Sequence, residues 1–311
     1  MNIPIFFSCD ENYVPFLAVT INSIEQNMDP NTNYDIYVLT PTIGEKFKLI
    51  KEMEKPNVHI EFISMNERVK EYAKEFDDVR DYYTQAIFYR LFIAELFPNL
   101  TKSIYIDCDI VLLTDIKKLY DIDLEGKVLG VIVDDVVNNN LDFQKYVVEA
   151  IGAYKDKYFN SGVLLMDLVK YREEEILEKF LYLLKKYNFK SVAPDQDYLN
   201  YLCRDLVKYL PISWNRMPVD DDYDGEINLI HYNMFMKPWR YDIRYDEHFW
   251  KYAEGTKFLD EIRQMKESYS EENRKKDLEG VSRMVKMVHD IMDSHYTFVD
   301  LLDKGIDHGT K

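Results

Sequence analysis

Two acidic residues flanking a cysteine interrupt an otherwise apolar run, Ser103-Ile-Tyr-Ile-Asp107-Cys108-Asp109-Ile-Val-Leu-Leu113. The run is rich in β-branched and aromatic residues and predicts a buried strand. Paired anions in a core are costly unless a cation neutralises them, and a divalent ion is the usual partner. Alternation along an extended backbone sends Asp107 and Asp109 to one side and Cys108 to the other. Such a pair suits a hard metal that keeps positions free for phosphate oxygens. The alternative is a strand-end turn whose aspartates merely cap the next element.

The 311 residues allow one large domain or two small ones, and 47% hydrophobic content with 25 tyrosines supplies a substantial core. Lys plus Arg total 39 against 56 Asp plus Glu, a net charge of −17 that opposes a general nucleic-acid partner. Cys9, Cys108 and Cys203 are scattered without metal-ligand spacing, which predicts a reduced, intracellular protein. The N-terminal stretch lacks the basic region of a signal or transit peptide, and no apolar run approaches the ~20 residues needed to cross a bilayer. The expectation is a cytoplasmic protein, at most peripheral to the inner membrane face.

Short apolar strands alternate with helices along the first part of the chain. Strands are predicted over Ile3–Ser8, Tyr34–Thr40 and Val58–Ile63, with helices over Tyr13–Met28 and Ile43–Lys55. A long aromatic-rich helix is predicted over Tyr82–Leu96, then strands over Val128–Val133, Val163–Met166, Val207–Leu210 and Asn228–Tyr232. Leu168–Tyr187 reads as one amphipathic helix, and Pro194 opens another through Leu202. This pattern predicts an α/β fold, a mostly parallel sheet covered on both faces, with ligands beyond the carboxyl ends of its strands. Residues 1–245 would form the catalytic domain and 246–311 a helical extension. In that extension Val281, Met284, Val285, Val288, Met292, His295, Val299 and Leu302 recur at helical spacing. The stripe must bury against the main domain or against a second subunit.

His231 closes a short strand far along the chain, so only folding could bring it to the aspartates. An imidazole with two carboxylates is a mixed nitrogen and oxygen set, which moves preference from Mg²⁺ toward Mn²⁺. Lys237, on a loop pinned by Pro238 and Trp239, is either a surface lysine or the cation that meets a departing phosphate. Arg90, inside an apolar helix, needs an anionic ligand or a salt bridge with Asp109 or Asp134. Asp195 is either a helix cap or, with Gln196, part of the chemistry. Asp134, Asn160, Asp195 and Gln196 have the directional acceptors and donors that vicinal sugar hydroxyls require.

Taken together and in order, these motifs resemble glycosyltransferase family 8, the retaining nucleotide-sugar transferases of glycosyltransferase-A type. The resemblance runs from residue 3 to about residue 240. It implies base and ribose contacts from Asp10, Asn12 and Tyr13 and a donor-binding Arg90 in Phe88-Tyr-Arg90-Leu. It implies metal ligation by Asp107, Asp109 and His231, and donor-sugar contacts from Asp134 and Asn160. Gln196 and Asp195 would lie beside the anomeric carbon, and Lys237 on the diphosphate. The family often places a glycine between the histidine and the Lys-Pro-Trp sequence, where this chain has Tyr232-Asn-Met-Phe-Met236.

The resemblance also implies a UDP-sugar donor, UDP-galactose or UDP-glucose, and Mn²⁺ with Mg²⁺ as second choice. It implies a glycan or glycolipid acceptor, and a hexose transferred with retention. An amide is a poor nucleophile, so front-face attack with Gln196 steadying the sugar's positive charge is the favoured route, and Asp195 is the fallback for a covalent step. Two other readings use the same residues: a catalytically silent UDP-sugar-binding protein, and an Asp-x-Asp metal-dependent phosphatase.

Overall fold

The computed structural model describes residues 2–70 and 85–305. Its strands are β1 (Asn2–Ser8), β2 (Asn33–Thr40), β3 (Val58–Ser64), β4 (Lys102–Ile106), β5 (Ile110–Leu112), β6 (Leu129–Val133), β7 (Phe159–Asp167), β8 (Val207–Tyr209) and β9 (Leu229–His231). Seven of them form one sheet in the order β3-β2-β1-β4-β7-β6-β8. The β1, β2, β3 and β4 pairings are parallel, as is β6 with β8, but β7 runs antiparallel to both β4 and β6. This is the predicted mostly parallel α/β sheet, with one strand reversed.

Alternation puts the strand side chains into two cores. Ile5, Phe7, Ile104 and Ile106 face one layer, with Leu17, Ile21 and Ile24 of the helix Val14–Asn27. Phe6 and Tyr105 face the other, which holds Phe88, Phe180, Tyr198 and the C-terminal residues Val288, Ile291 and Phe298. The C-terminal stripe therefore buries against the main body of its own chain. Val281, within the helix Glu271–Asp293, is exposed, and so is His295, where the helix has already ended and the backbone takes a left-handed φ of 53°.

Several element boundaries differ from the sequence reading. Residues 82–84 of the expected helix Tyr82–Leu96 lie outside the described residues, and Gln85–Phe92 is a 3₁₀ helix before a single α turn, Ile93–Leu96. There Arg90 Nε donates to the Ile87 carbonyl at 3.0 Å, a local bond that competes with α-helical pairing. The expected helix Ile43–Lys55 is confined to Lys46–Lys51. Leu168–Tyr187 is two helices, Leu168–Glu173 and Ile176–Tyr187, joined where Glu175 adopts a φ of 51°.

The strand through the aspartates is likewise divided. Ladder pairing of β4 stops at Ile106, the chain bends at Cys108 and Asp109, and β5 leaves to pair with β9. The two carboxylates still share one site, but the bend brings them there, not the alternation of a continuous strand.

Candidate functional site

Carboxyl ends of β1, β4 and β6 point to one edge of the sheet, and the reversed β7 brings its beginning to that same edge. Asp10 and Tyr13 follow β1, Asp107 and Asp109 follow β4, Asp134 follows β6, and Asn160 to Gly162 open β7. A cavity of about 910 Å³ lies there, lined by Asp10, Tyr13, Asp107, Asp109, Asp134, Asn160 and Ser161 and by Arg90, Asp195, Gln196 and Lys237. Asn12 is exposed; its backbone N–H is held by the Asp10 carboxylate at 2.9 Å.

The bend between β4 and β5 is anchored from below. The Thr20 hydroxyl lies 2.9 Å from the Cys108 carbonyl and 2.7 Å from that of Ile110, and the Ser23 hydroxyl accepts the Leu112 N–H at 3.0 Å. Antiparallel pairing sets Ile110 opposite His231, and the Tyr232 N–H donates to the Asp109 carbonyl at 2.9 Å. That ladder carries the imidazole to the aspartates. His231 Nε2 lies 3.2 Å from Asp109 Oδ1 and 3.8 Å from Asp107 Oδ2. One ligand atom from each residue falls within a 4.8 Å cluster. A Cβ on Gly162 would collide with both the His231 ring and the Asp107 carboxylate, so no other residue lets them approach so closely.

Two observations test whether these groups suit a divalent ion. Asp109 Oδ1 and His231 Nε2 are both buried, face each other, and have no hydrogen-bond partner among the described residues. Their donor set, two carboxylates and an imidazole, is one that a manganese-class ion accepts. Asp107, Asp109 and His231 fit the role.

Cations flank the cluster. Buried Arg90 bonds Asp107 Oδ1 at 2.9 Å and reaches Asp195 Oδ2 at 3.2 Å, so its partners are neither Asp109 nor Asp134 as the sequence suggested. The 3₁₀ turn aims its side chain across the cavity toward the start of the helix Pro194–Cys203. Lys237 Nζ pairs with Asp109 and donates to the Tyr232 carbonyl at 2.6 Å. Burial pushes the Asp109 carboxyl up, but the positive charge of Lys237 outweighs it and holds the group well below the usual carboxylate range. Burial likewise opposes the charge on Lys237, and Asp109 reverses that and raises its pKa. For Asp195 burial wins over Arg90, and the carboxyl is pushed up.

The three residues Asp195, Gln196 and Asp197 divide their labour. Asp195 Oδ2 accepts from the Ser161 hydroxyl at 2.8 Å and does not cap its helix. Asp197 instead fastens the segment ahead of the helix, accepting from Tyr146 and Tyr158 at 2.6 Å each and from the Val192 N–H at 3.2 Å. The Gln196 carbonyl accepts the Ser161 N–H at 2.9 Å and the Asn160 amide at 3.1 Å, while its own amide donates to Asp134 Oδ2 at 3.1 Å. Asn160 also donates to Asp134 Oδ2 at 3.1 Å.

The sequence reading assigns no role to Asn215, Gly162, Ser161 or Thr20. The run Asn160-Ser-Gly162 marks the segment but not the room that Gly162 makes in it. Asn215 and Thr20 give no signal, since each acts on residues distant in sequence.

A mostly parallel α/β sheet with one reversed strand is the glycosyltransferase-A architecture, and solved neighbours share this fold. The galactosyltransferase LgtC, solved with donor and acceptor sugar analogues, aligns with a TM-score of 0.70 at 24% identity over 85% of this chain and all (100%) of its own. The apo bifunctional glycosyltransferase WbbM aligns with a TM-score of 0.74 at 24% identity over 86% of this chain, which spans only about half (52%) of that longer protein. Among sequence relatives, the lipopolysaccharide 1,2-glucosyltransferase of Escherichia coli K12 is 27% identical over 250 residues, 75% of this chain and 71% of its own. The profile of glycosyl transferase family 8 matches residues 4–243, and the chain belongs to that family. It is a glycosyltransferase, which sets the phosphatase reading aside.

Proposed function

We propose that the chain transfers galactose or glucose from UDP-galactose or UDP-glucose to a glycan or glycolipid acceptor, with retention at the anomeric carbon and with Mn²⁺, or less well Mg²⁺, as its ion. The carrying observation is the convergence of Asp107, Asp109 and His231, whose facing atoms are otherwise without partners. In this reading those three residues hold the ion. When bound, it would neutralise charge that develops on the leaving diphosphate.

The chain's own groups do the rest. Asp10 and Tyr13 at the end of β1, with Asn12 on the adjoining turn, receive the base and ribose. Lys237, released from Asp109, and Arg90 face the phosphates and favour their departure. Asp134 and Asn160 orient the sugar through its hydroxyls. Gln196 has its carbonyl engaged by two N–H donors and its amide by Asp134, which leaves a rigid neutral group beside the anomeric carbon and favours front-face attack. Asp195, 3.2 Å from the Arg90 guanidinium, stays the fallback nucleophile.

The acceptor side draws on the C-terminal extension, because Gly280, Arg283, Met284 and Met287 line the same cavity. No helix among the described residues is long and apolar enough to cross a membrane, and a cytoplasmic place at the inner membrane face suits a growing glycolipid.

The test is a panel of UDP-sugars incubated with the protein and Mn²⁺ or EDTA, with donor cleavage and the anomer of the product followed by NMR. Cleavage of UDP-galactose or UDP-glucose that EDTA stops and Mn²⁺ restores, with the α anomer formed first, supports the reading. Binding without cleavage or transfer to any acceptor would leave the silent sugar-nucleotide binder in its place.

A further inference from the structure

A chain of amides runs from the sugar side of the cavity to the back of the metal-site histidine. Its orientation can be read without ambiguity because one end is a backbone donor. The Gly162 N–H donates to Asn160 Oδ1 at 3.0 Å, which fixes the oxygen end of that amide. The Asn160 oxygen then receives Asn215 Nδ2 at 3.0 Å, which fixes the nitrogen end of the second amide. Only Asn215 Oδ1 is left to meet His231 Nδ1, at 2.9 Å. In the neutral ring that a metal requires, an acceptor there puts the proton on Nδ1 and leaves a lone pair at Nε2, aimed at Asp109 Oδ1, another lone-pair atom. Asn215 is fully buried (0% exposed), and its loop is held by the Asn228 N–H donating to the Ser213 carbonyl at 2.8 Å.

We propose that Asn215 is a positioning residue that holds His231 as its Nδ1–H tautomer, so that Nε2 faces the ion as a ready ligand, and that Asn160 sets Asn215. Partners of this kind behind a metal-binding histidine fix ring orientation and tautomer. The inference rests on the ion site proposed above. Without Asn215 the free ring gains by moving its proton to Nε2, where Asp109 accepts it, and that tautomer cannot bind an ion.

The experiment compares wild type with Asn215→Leu, which keeps the branched shape and removes both hydrogen bonds, and with Asn215→Asp, which keeps the acceptor. Mn²⁺ binding to the full chain is followed without nucleotide by electron paramagnetic resonance, and the His231 tautomer in EDTA by long-range ¹H–¹⁵N NMR. The expected result for the leucine variant is an Mn²⁺ dissociation constant raised about tenfold or more, a His231 ring moved to Nε2–H, and affinity restored by aspartate. A folded leucine variant that binds Mn²⁺ as wild type does, or keeps the Nδ1–H ring, overturns the inference. Should that variant not fold, Asn215→Ser, whose oxygen is too short to reach the ring, is judged by the same criteria. Wild type that binds no Mn²⁺ would defeat the functional reading itself, whereas equal binding by wild type and the leucine variant defeats only the role of Asn215.

Discussion

At the scale of single residues, the metal cluster and the Asp-Gln-Asp segment place different demands on their carboxylates. Asp107→Ala or Asp109→Ala should abolish Mn²⁺-dependent donor cleavage and leave far-UV circular dichroism unchanged. Asp195 makes a separate prediction through its raised pKa. Between the ordinary carboxylate value and the raised one, the folded chain keeps a proton that the unfolded chain has released. Stability therefore falls as pH rises through that window, and the full penalty is present above it. Asn at position 195 removes the titration, so urea unfolding of Asp195→Asn across mildly acidic pH should show a shallower decline than wild type.

What was legible at this scale stems from the physics of each residue. Charges at Asp107, Asp109 and Arg90 stand out in the sequence because a core rejects them unpaired. The sequence could not say which charge meets which, and Arg90 chose Asp107 and Asp195 because a 3₁₀ turn, absent from any periodicity, aims it there. Gly162 and Asn215 were silent for the opposite reason. A glycine that makes room and an amide that turns a ring carry no charge or pattern, and their meaning lies wholly in neighbours far along the chain.

Among the elements, the loop from β9 to the Lys-Pro-Trp sequence departs most from the family pattern, and the structure shows how. Met234 occupies the left-handed region with a φ of 52°, the conformation that favours the glycine often found in this interval. Met234→Gly should raise stability by about 1 kcal/mol as that strain is released, read from the urea midpoint at unchanged slope. The loop does not drift despite the strain. Trp239 stacks on Phe16 of the helix Val14–Asn27 with ring centres 3.7 Å apart, and Arg240 and the Tyr241 hydroxyl both reach Asp277, at 3.4 and 2.7 Å. Strand positions in this part of the chain were readable from β-branched runs. The start of β7 was not, since Phe159-Asn-Ser-Gly162 has turn-like composition and is held in the ladder by tertiary pairing alone.

Across the whole molecule, the helical segment past residue 245 is packed into the body rather than appended to it. Val288, Ile291 and Phe298 belong to the same core as Phe180 and Tyr198, and Phe298 stacks on Phe189 at 4.1 Å. Phe298→Ala should lower the unfolding free energy by about 3–5 kcal/mol, measured by chemical denaturation of the full chain. The apolar stripe in the sequence announced that this helix had to be covered, but periodicity carries no address, and two partners remained open until the fold supplied one.

Asp277 ties this packing to the proposed phosphate lysine. It gathers Arg240, Tyr241 and Tyr269, and it sits just before the residues that wall the cavity. One carboxylate on the helix Glu271–Asp293 thus tethers the loop that carries Lys237. A chain cut short ahead of that helix would keep the side chains proposed to grip the ion and the diphosphate, yet lose the clasp that steadies one of them.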